Sequence, residues 1–182
     1  PFVYEKGQGN VLKFQYDIVK GGWGGWICFL DGVDASKYEI IVDRALVKKR
    51  FGIDPSERIV LFVGRLVPQK GVEYLIMAAP KIIAQHPETR IVIVGDGWSK
   101  DQLWNLASSI GCQHKITFLG FLSDQDLIEL TLSSDVLVVP SIYEPFGIVA
   151  LEGMAAGIPV VASNTGGLAE IIEHDKTGFL AY

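Results

Sequence analysis

Short runs of apolar, often β-branched residues alternate with helix-like stretches along the chain from Ile59 onward. Each run is continuously apolar, without alternation of apolar and polar positions, which is typical of strands buried on both faces of a parallel sheet. The repeated order of strand, helix and strand predicts βαβ units. We therefore predict an α/β fold with an open parallel sheet of five or more strands and helices on both faces, with strands at residues 59–63, 91–94, 116–119, 136–139 and 160–162.

Apolar residues recur at helical spacing in the intervals between these strands, and each stripe can cover a face of the sheet. A third helix is predicted with Ser123 or Asp124 as its N-cap. Residues 43–51 predict a short helix that ends at Gly52 and leads into the sheet. The first stripe consists of Val72, Leu75, Ile76, Ala79 and Ile83, and the second of Leu103, Leu106, Ala107 and Ile110.

The chain divides into two parts of different character. Residues 1–40 include glycines interleaved with Trp23 and Trp26 and show no clear period, so we interpret them as an irregular head or linker. Residues 41–182 contain the strands and stripes and are predicted to form one Rossmann-like domain. Right-handed crossovers put the loops that follow the strands along one edge, where open sheets of this kind bind ligands.

Composition limits the classes of partner. The formal net charge of −5 argues against broad attraction to nucleic acid or anionic lipid.

Cys28 and Cys112 lie far apart outside any C-x-x-C pattern, which favours free structural thiols. The apolar runs are too short to cross a bilayer and no signal pattern opens the chain, so we expect a cytoplasmic protein. The chain opens without Met inside an apolar run, which suggests a piece of a longer protein.

Two cations follow the first strand of the domain. Arg65 stands beside Gly64, and Lys70 immediately precedes Gly71 and the first helical stripe. Arg can bind phosphate oxygens through two parallel hydrogen bonds and Lys adds a compact charge, so together they could neutralise a diphosphate without a metal. An ordinary solvated basic loop is the alternative, but the position at the carboxyl edge favours binding.

Two glutamates lie in the loop and helix that follow the fourth strand. Glu144 is expected to project from the rim, close to Gly147 and to helix N–H groups that can hold an anion or a hydroxyl. Glu152 lies about two turns further along, in a helix of small uncharged residues, so its carboxylate needs a partner. That partner is either a backbone donor or Lys70 inside the fold, or the hydroxyl groups of a ligand.

A third turn, at residues 163–170, follows another strand and carries little side-chain bulk at Gly166 and Gly167. Close approach of the main chain to phosphate is its functional interpretation. The alternative is a flexible turn capped by Ser or Thr before a helix. The position at the carboxyl edge is what makes this turn a candidate.

Other site classes are not supported by the sequence. It contains neither G-x-G-x-x-G nor G-x-x-x-x-G-K-[ST], which weakens the hypotheses of a dinucleotide dehydrogenase and of a P-loop NTPase. His86, His114 and His174 lack metal-like spacing. We therefore expect no metal site and assign the histidines no role.

These motifs together resemble the C-terminal domain of retaining glycosyltransferases with the two-domain GT-B architecture, especially family 4 and its glycogen-synthase relatives. The resemblance covers about residues 31–182 and is specific in its order and spacing. It rests on GVD at 32–34, GRLVPQKG at 64–71, VGDG at 94–97, FLGFLSD at 118–124, PSIYEPFGIVALEGMAAGIPVVAS at 140–163 and GGLAEII at 166–172.

The resemblance implies a role for each candidate residue. Arg65 and Lys70 would hold the donor diphosphate, Glu144 would face the transferred sugar, and Glu152 would bind the ribose hydroxyls. The base would lie beside Leu122. Further donor contacts are expected from Gly64, Phe146, Gly147, Ile148, Gly166 and Gly167.

The resemblance also implies what surrounds this chain. A complete family member has a preceding acceptor-binding domain and further C-terminal helices, and it transfers a hexosyl group such as glucose to an acceptor hydroxyl of a glucan, another glycan or a lipid. Its donor is a nucleotide-diphosphate sugar, and no separate cofactor or metal is expected. The alternatives are a non-catalytic nucleotide-sugar-binding module, a nucleotide-sugar epimerase, or a phosphorylase with a pyridoxal cofactor.

Overall fold

A computed structural model describes residues 11–15 and 30–182 of the chain, and the Gly-Trp stretch at 21–26 and Cys28 lie outside them. In this part the strands are β1 Val11–Gln15, β2 Leu30–Asp34, β3 Arg58–Val63, β4 Thr89–Val94, β5 Ile116–Gly120, β6 Val136–Val139, β7 Val160–Ser163 and β8 Phe179–Ala181. The helices are α1 Arg44–Arg50, α2 Val72–Gln85, α3 Lys100–Ser109, α4 Asp124–Leu132, α5 Ile148–Ala155 and α6 Gly166–Ile171. Short 3-10 turns cover Ala35–Tyr38, Pro68–Lys70 and Gln113–Lys115.

Strands β3 to β8 form one parallel sheet of six strands in the order β5-β4-β3-β6-β7-β8. The five predicted strands are confirmed, each within two residues of its predicted ends. The sixth strand, β8, is missing from the prediction because its three residues are too few to show a pattern.

Neighbouring residues of the central strands point into two different cores. In β3, Ile59 and Leu61 pack into the core that contains residues of α4, α5 and α6. Phe62, the next residue of the same strand, lies on the opposite face and packs into the core that contains residues of α2 and α3. Because both faces are buried, the central positions of these strands are apolar on both sides, which explains the continuous runs. The predicted α/β fold with helices on both faces is therefore confirmed.

The order of the strands reverses between β3 and β6. From β3 the chain moves through α2 and α3 to β4 and β5, and α4 then returns it to β6, beyond which β7 and β8 continue in the opposite direction. The loops after β3 and β6 consequently leave two adjacent strand ends and diverge, which opens a crevice where sheets of this type bind ligands. The two loops remain joined, since the Ile142 N–H donates to the Gln69 carbonyl at 2.9 Å.

Side-chain caps define the starts of two helices. Asp43 accepts hydrogen bonds from the N–H groups of Ala45 and Leu46 at 3.0 and 3.1 Å, which starts α1 at the predicted position. Ser123, not Asp124, caps α4, because the Ser123 hydroxyl accepts from the N–H of Asp126 at 3.2 Å. Satisfying these otherwise unpaired N–H groups is the reason Asp and Ser are favoured as N-caps.

Part of the predicted head is ordered against the domain. Strands β1 and β2 pair antiparallel, and the 3-10 turn of Ala35–Tyr38 follows them. Val33 and Tyr38 are buried and pack against Leu151 of α5. The boundary between head and domain at residue 41 remains a prediction, but Val33 and Tyr38 share a hydrophobic core with the domain.

The predictions about membrane spans and about free cysteines can be compared with the described residues. No helix among them combines the length and the apolar character that a membrane span requires. The thiol of Cys112 is free and buried, as expected for a structural cysteine.

An ionic cluster joins the amino ends of β3, β4 and β5, at the edge opposite the crevice. Two guanidinium nitrogens of Arg90 donate to the two carboxylate oxygens of Glu57 at 2.9 and 3.0 Å, and Lys115 donates at 3.0 Å. The Glu57 side chain is only 10% exposed. Burial alone would raise the pKa of Glu57, but the hydrogen bonds from Arg90 and Lys115 outweigh burial and hold the pKa below its ordinary value.

We expect Glu57→Gln to lower the free energy of unfolding by about 3 kcal/mol at pH 7, because two partly buried cations lose their counter-charge. The folded pKa of Glu57 is depressed, so its contribution is present above the unfolded value of 4.5 and is lost as the pH falls through the folded pKa. Urea denaturation of both proteins at pH 7 and at pH 3 measures the difference, which should shrink in acid. Glu88→Gln, which removes an exposed 3.6 Å pair with Arg58, is the control and should cost less than about 0.5 kcal/mol. Equal losses at pH 7 would contradict a structural role for the cluster.

Gly71 lies where the two crevice loops touch, and we expect Gly71→Ala to lower the free energy of unfolding by about 3 kcal/mol. Its φ is +62°, and an added Cβ would lie 1.9 Å from the Pro140 carbonyl oxygen. Gly111 is a matched control, since its φ is +72° but nothing lies within 4 Å of an added Cβ, so Gly111→Ala should cost only about 1 kcal/mol. Denaturant titration of both variants separates backbone strain from steric overlap. Similar losses would mean that the loops can separate without cost.

Candidate functional site

Lys70 and Glu144 meet in the crevice between the loops that follow β3 and β6. The ammonium nitrogen of Lys70 lies 2.6 Å from Oε2 of Glu144, and the two side chains are only 21% and 11% exposed. The prediction that Glu144 projects from the rim is therefore wrong. The attraction of the lysine draws the carboxylate inward, where low exposure strengthens the pair. The alternative in which Lys70 pairs with Glu152 is also excluded, because Lys70 makes its ion pair with Glu144.

The main chain of Glu144 is held by the start of α6. The N–H of Gly167 donates to the Glu144 carbonyl at 2.9 Å. An added Cβ on Gly166 would lie 2.2 Å from that same carbonyl oxygen, so a side chain at this position would displace the loop. Both glycines therefore lie close to the main chain of the Glu144 loop. Contact with a phosphate at the same turn stays a prediction.

Arg65 extends from the end of β3 into solvent. The next residue, Leu66, is completely buried, and its N–H donates to the Asp96 carbonyl at 2.9 Å, so the backbone under Arg65 is anchored. Within residues 32–182, no ion pair or hydrogen bond engages the guanidinium group. The arginine is therefore available to a ligand that enters the crevice beside Lys70.

Glu152 lines a separate cavity of about 180 Å³. Its walls come from three parts of the chain: β2 with the 3-10 turn that follows it, helix α4, and helix α5. The polar and charged side chains among them are Asp34, Lys37, Tyr38, Asp124 and Glu152, and the apolar ones include Leu127, Ile128 and Ile148.

The carboxylate of Glu152 is partly removed from water. Burial raises its pKa, Lys37 opposes the shift with its positive charge, and Asp124 adds to it. Burial also raises the pKa of Tyr38, and Glu152 and Asp124 contribute in the same direction. No group of residues 32–182 donates a hydrogen bond to the Glu152 carboxylate. A desolvated acceptor of this kind favours a ligand that brings hydroxyl donors into the cavity.

Of the remaining candidates, Phe146, Gly147 and Ile148 lie at the crevice loop and the start of α5, and Leu122 lies elsewhere. Gly147, with φ at +73°, is the N-cap of α5, and Ile148 lines the Glu152 cavity one turn before Glu152 itself. Phe146 is 40% exposed at the crevice loop. Leu122 instead packs against the core of the sheet, while Leu127 and Ile128 of α4 line the cavity. The proposed contact of Leu122 with a base stays a prediction.

Two parts of the site could not be identified from sequence reasoning. Lys37 and Tyr38 belong to the segment interpreted as an irregular head, yet they line the Glu152 cavity. The GVD stretch immediately before them was the available signal. Ser141 also lacked a predicted role, although its hydroxyl donates to Glu144 at 3.2 Å.

In the part of the chain that the structure describes, no group of three or more His, Cys, Asp or Glu side chains could hold a metal ion. His174 has a structural role instead. Its Nδ1 accepts from the Leu180 N–H at 3.0 Å, which connects the turn before β8 to the strand itself.

Comparison with known proteins adds relatives to this geometry. Residues 43–182 match the profile of the family described as glycosyl transferases group 1. A glycosyltransferase of Methanocaldococcus jannaschii is 51% identical over 135 residues, 74% of this chain and 34% of that protein. Glycogen synthase of Mycobacterium tuberculosis is 40% identical over 148 residues, 81% of this chain and 34% of the synthase. The crystal structure of Anabaena HepE in complex with UDP-glucose shares 32% identity with a TM-score of 0.73, over 82% of this chain and 41% of that chain.

The two curated relatives are much longer than this chain, which spans 34% of the length of each. The family match nevertheless covers residues 43–182, and the parallel sheet agrees with that of the solved relative. This chain therefore belongs to the group 1 glycosyltransferase family and forms the Rossmann-like half of a GT-B fold.

Proposed function

We propose that this chain is the donor-binding domain of a retaining glycosyltransferase. The enzyme transfers a hexosyl group, such as glucose, from a nucleotide-diphosphate sugar to a hydroxyl of a glucan, another glycan or a lipid. A preceding acceptor-binding domain of the longer parent protein forms the other wall of the cleft. The observation that carries the proposal is the Lys70–Glu144 pair in the crevice where the strand order reverses, with Arg65 on the same loop as Lys70.

Charge and position support a diphosphate at this crevice. Arg65 is exposed and Lys70 is partly exposed, so both cations can reach an anion that enters between the loops. Helix α5 starts at the end of the same loop, and its first N–H groups add partial positive charge. The solved relative HepE, crystallised with UDP-glucose, supports a nucleotide-diphosphate sugar as the ligand class.

The Glu152 cavity supports a place for the nucleoside. Its carboxylate is desolvated and accepts no hydrogen bond from residues 32–182, so the ribose hydroxyls of a nucleotide would satisfy it. Ile148 lies on α5 between the Glu144 loop and Glu152, and it borders the same cavity. The crevice loop therefore carries Glu144 for the sugar, and the helix α5 that follows it carries Glu152 for the nucleoside.

In the proposed reaction, the bond between the anomeric carbon and the phosphate oxygen breaks, and its electron pair remains on the nucleoside diphosphate. Arg65, Lys70 and the helix N–H groups stabilise that negative charge, which is the main source of rate enhancement. The acceptor hydroxyl attacks the anomeric carbon from the face that the departing phosphate occupies and passes its proton to an oxygen of that phosphate, so the configuration is retained. Glu144 orients the sugar and forms no covalent bond to it, so the two glutamates are not a glycosidase pair.

The first test is calorimetric titration of this chain with UDP-glucose, ADP-glucose and GDP-mannose. We expect saturable binding of one donor, and at least about a hundredfold weaker binding by the Arg65→Ala, Lys70→Ala variant, because two charge-assisted contacts are lost. The Arg58→Ala, Lys81→Ala variant is the matched control, since it removes the same charge from exposed positions outside the crevice. Equal weakening in both variants would mean that the donor binds by non-specific charge attraction and not at this crevice. No binding of any donor by the wild type would overturn the proposal for this chain.

A second test separates the nucleoside contact from the phosphate contact. We expect Glu152→Gln to weaken nucleotide binding about tenfold, because a neutral amide accepts ligand hydroxyls less strongly. The same change should raise the thermal midpoint of the unliganded protein at pH 7, because burial raises the pKa of Glu152 and its ionised form therefore opposes folding above the unfolded pKa. Glu170→Gln, at an exposed position of α6, is the control and should alter neither property. A lower midpoint for Glu152→Gln would argue for a purely structural carboxylate.

A further inference from the structure

The hydrogen bonds to the Glu144 carboxylate are unequally divided between its two oxygens. Oε2 accepts from the Lys70 ammonium at 2.6 Å and from the Ser141 hydroxyl at 3.2 Å. Within residues 32–182, no hydrogen bond reaches Oε1. One oxygen is thus occupied by the protein and the other remains available.

Ser141 is well placed to fix this arrangement. It follows β6 by two residues and is only 1% exposed, so its side chain cannot exchange its protein partner for bulk water. The backbone at the other end of the contact is also held, because the Gly167 N–H donates to the Glu144 carbonyl. With the main chain and one carboxylate oxygen both restrained, rotation of the Glu144 carboxylate is restricted.

We propose that Ser141 is a positioning residue of the donor site, acting through Glu144 on Lys70. The hydroxyl of Ser141 holds Oε2 toward the lysine, which keeps the ammonium group in the crevice, and leaves Oε1 for a hydroxyl of the transferred sugar. This inference rests on the proposed function and deepens it. Glu144 then serves both parts of the donor, the diphosphate indirectly and the sugar directly.

The energetic consequence is preorganisation of Lys70. A free lysine side chain has many rotamers, and ordering it on binding costs affinity. The ion pair with a fixed carboxylate orders the lysine before the ligand arrives. Ser141 is also a cleaner probe than Glu144, because removal of a neutral hydroxyl changes no charge near the diphosphate.

The test uses UDP, which has the diphosphate but lacks the sugar, or ADP or GDP in its place if the donor titration selects that base. We expect Ser141→Ala to weaken UDP binding about fivefold, the size expected for one hydrogen bond. In a Lys70→Ala background, the same substitution should have no further effect, because the group on which it acts is absent. Calorimetric titration of the wild type, the two single variants and the double variant measures this coupling.

Ser134→Ala is the matched control. Ser134 is also buried, and its hydroxyl donates to the Leu130 carbonyl at 2.8 Å outside the crevice. Its removal should leave the UDP dissociation constant unchanged. If Ser141→Ala fails to fold, Ser141→Cys keeps a side chain of similar volume with a weaker donor, and it should show the same loss and the same dependence on Lys70.

The possible results separate the positioning role of Ser141 from the proposed donor binding on which it rests. Unchanged UDP binding by the folded Ser141 variant would overturn the inference, and so would an equal loss in the presence and absence of Lys70, which indicates a merely structural serine. In both cases the wild type still binds UDP and the proposed function stands. Failure of the wild type to bind UDP, ADP and GDP alike would overturn both together.

Discussion

The burial of the parallel sheet on both faces is the constraint on which the rest of the structure depends. Helices must cover two opposite faces, so the chain winds in one direction from β3 to β5 and in the other from β6 to β8. The crevice arises where these two directions meet, because adjacent strand ends send their loops apart. The hydrogen bond between Ile142 and Gln69, and the contact of Gly71 with Pro140, keep those loops close enough for Lys70 and Glu144 to meet.

Charge is distributed very differently at the two edges of the sheet. At the amino edge, Glu57 is fully compensated by Arg90 and Lys115, which is the state expected of a group that only stabilises the fold. At the carboxyl edge, Arg65 has no counter-charge within 32–182 and the Glu152 carboxylate no hydrogen-bond donor. Desolvation of the Glu152 carboxylate without such a donor costs the unliganded protein stability. It also leaves binding free energy available to a ligand with the complementary groups.

Much of the fold could be predicted from the sequence because its periodicity reflects burial directly. Strand β6 was predicted with its observed ends, since all four residues are apolar and turn residues bound the run. The candidates Arg65, Lys70 and Glu144 followed from their positions after strands. The inward position of Glu144 could not, because it depends on a contact with Lys70, 74 residues earlier in the chain. Lys37 and Tyr38 were missed for a similar reason, since only the path of the chain across α5 brings them to Glu152.

The packing of Val33 and Tyr38 on Leu151 gives the Glu152 cavity a wall that does not belong to the sheet. A molecule inside the cavity would contact the segment that enters the domain as well as the domain itself. The binding free energy of that molecule therefore includes the free energy of packing the segment against the domain. By thermodynamic reciprocity, an occupied cavity would stabilise the packed position of the segment. The position of Val33 and Tyr38 is thus coupled to the occupancy of a single small cavity.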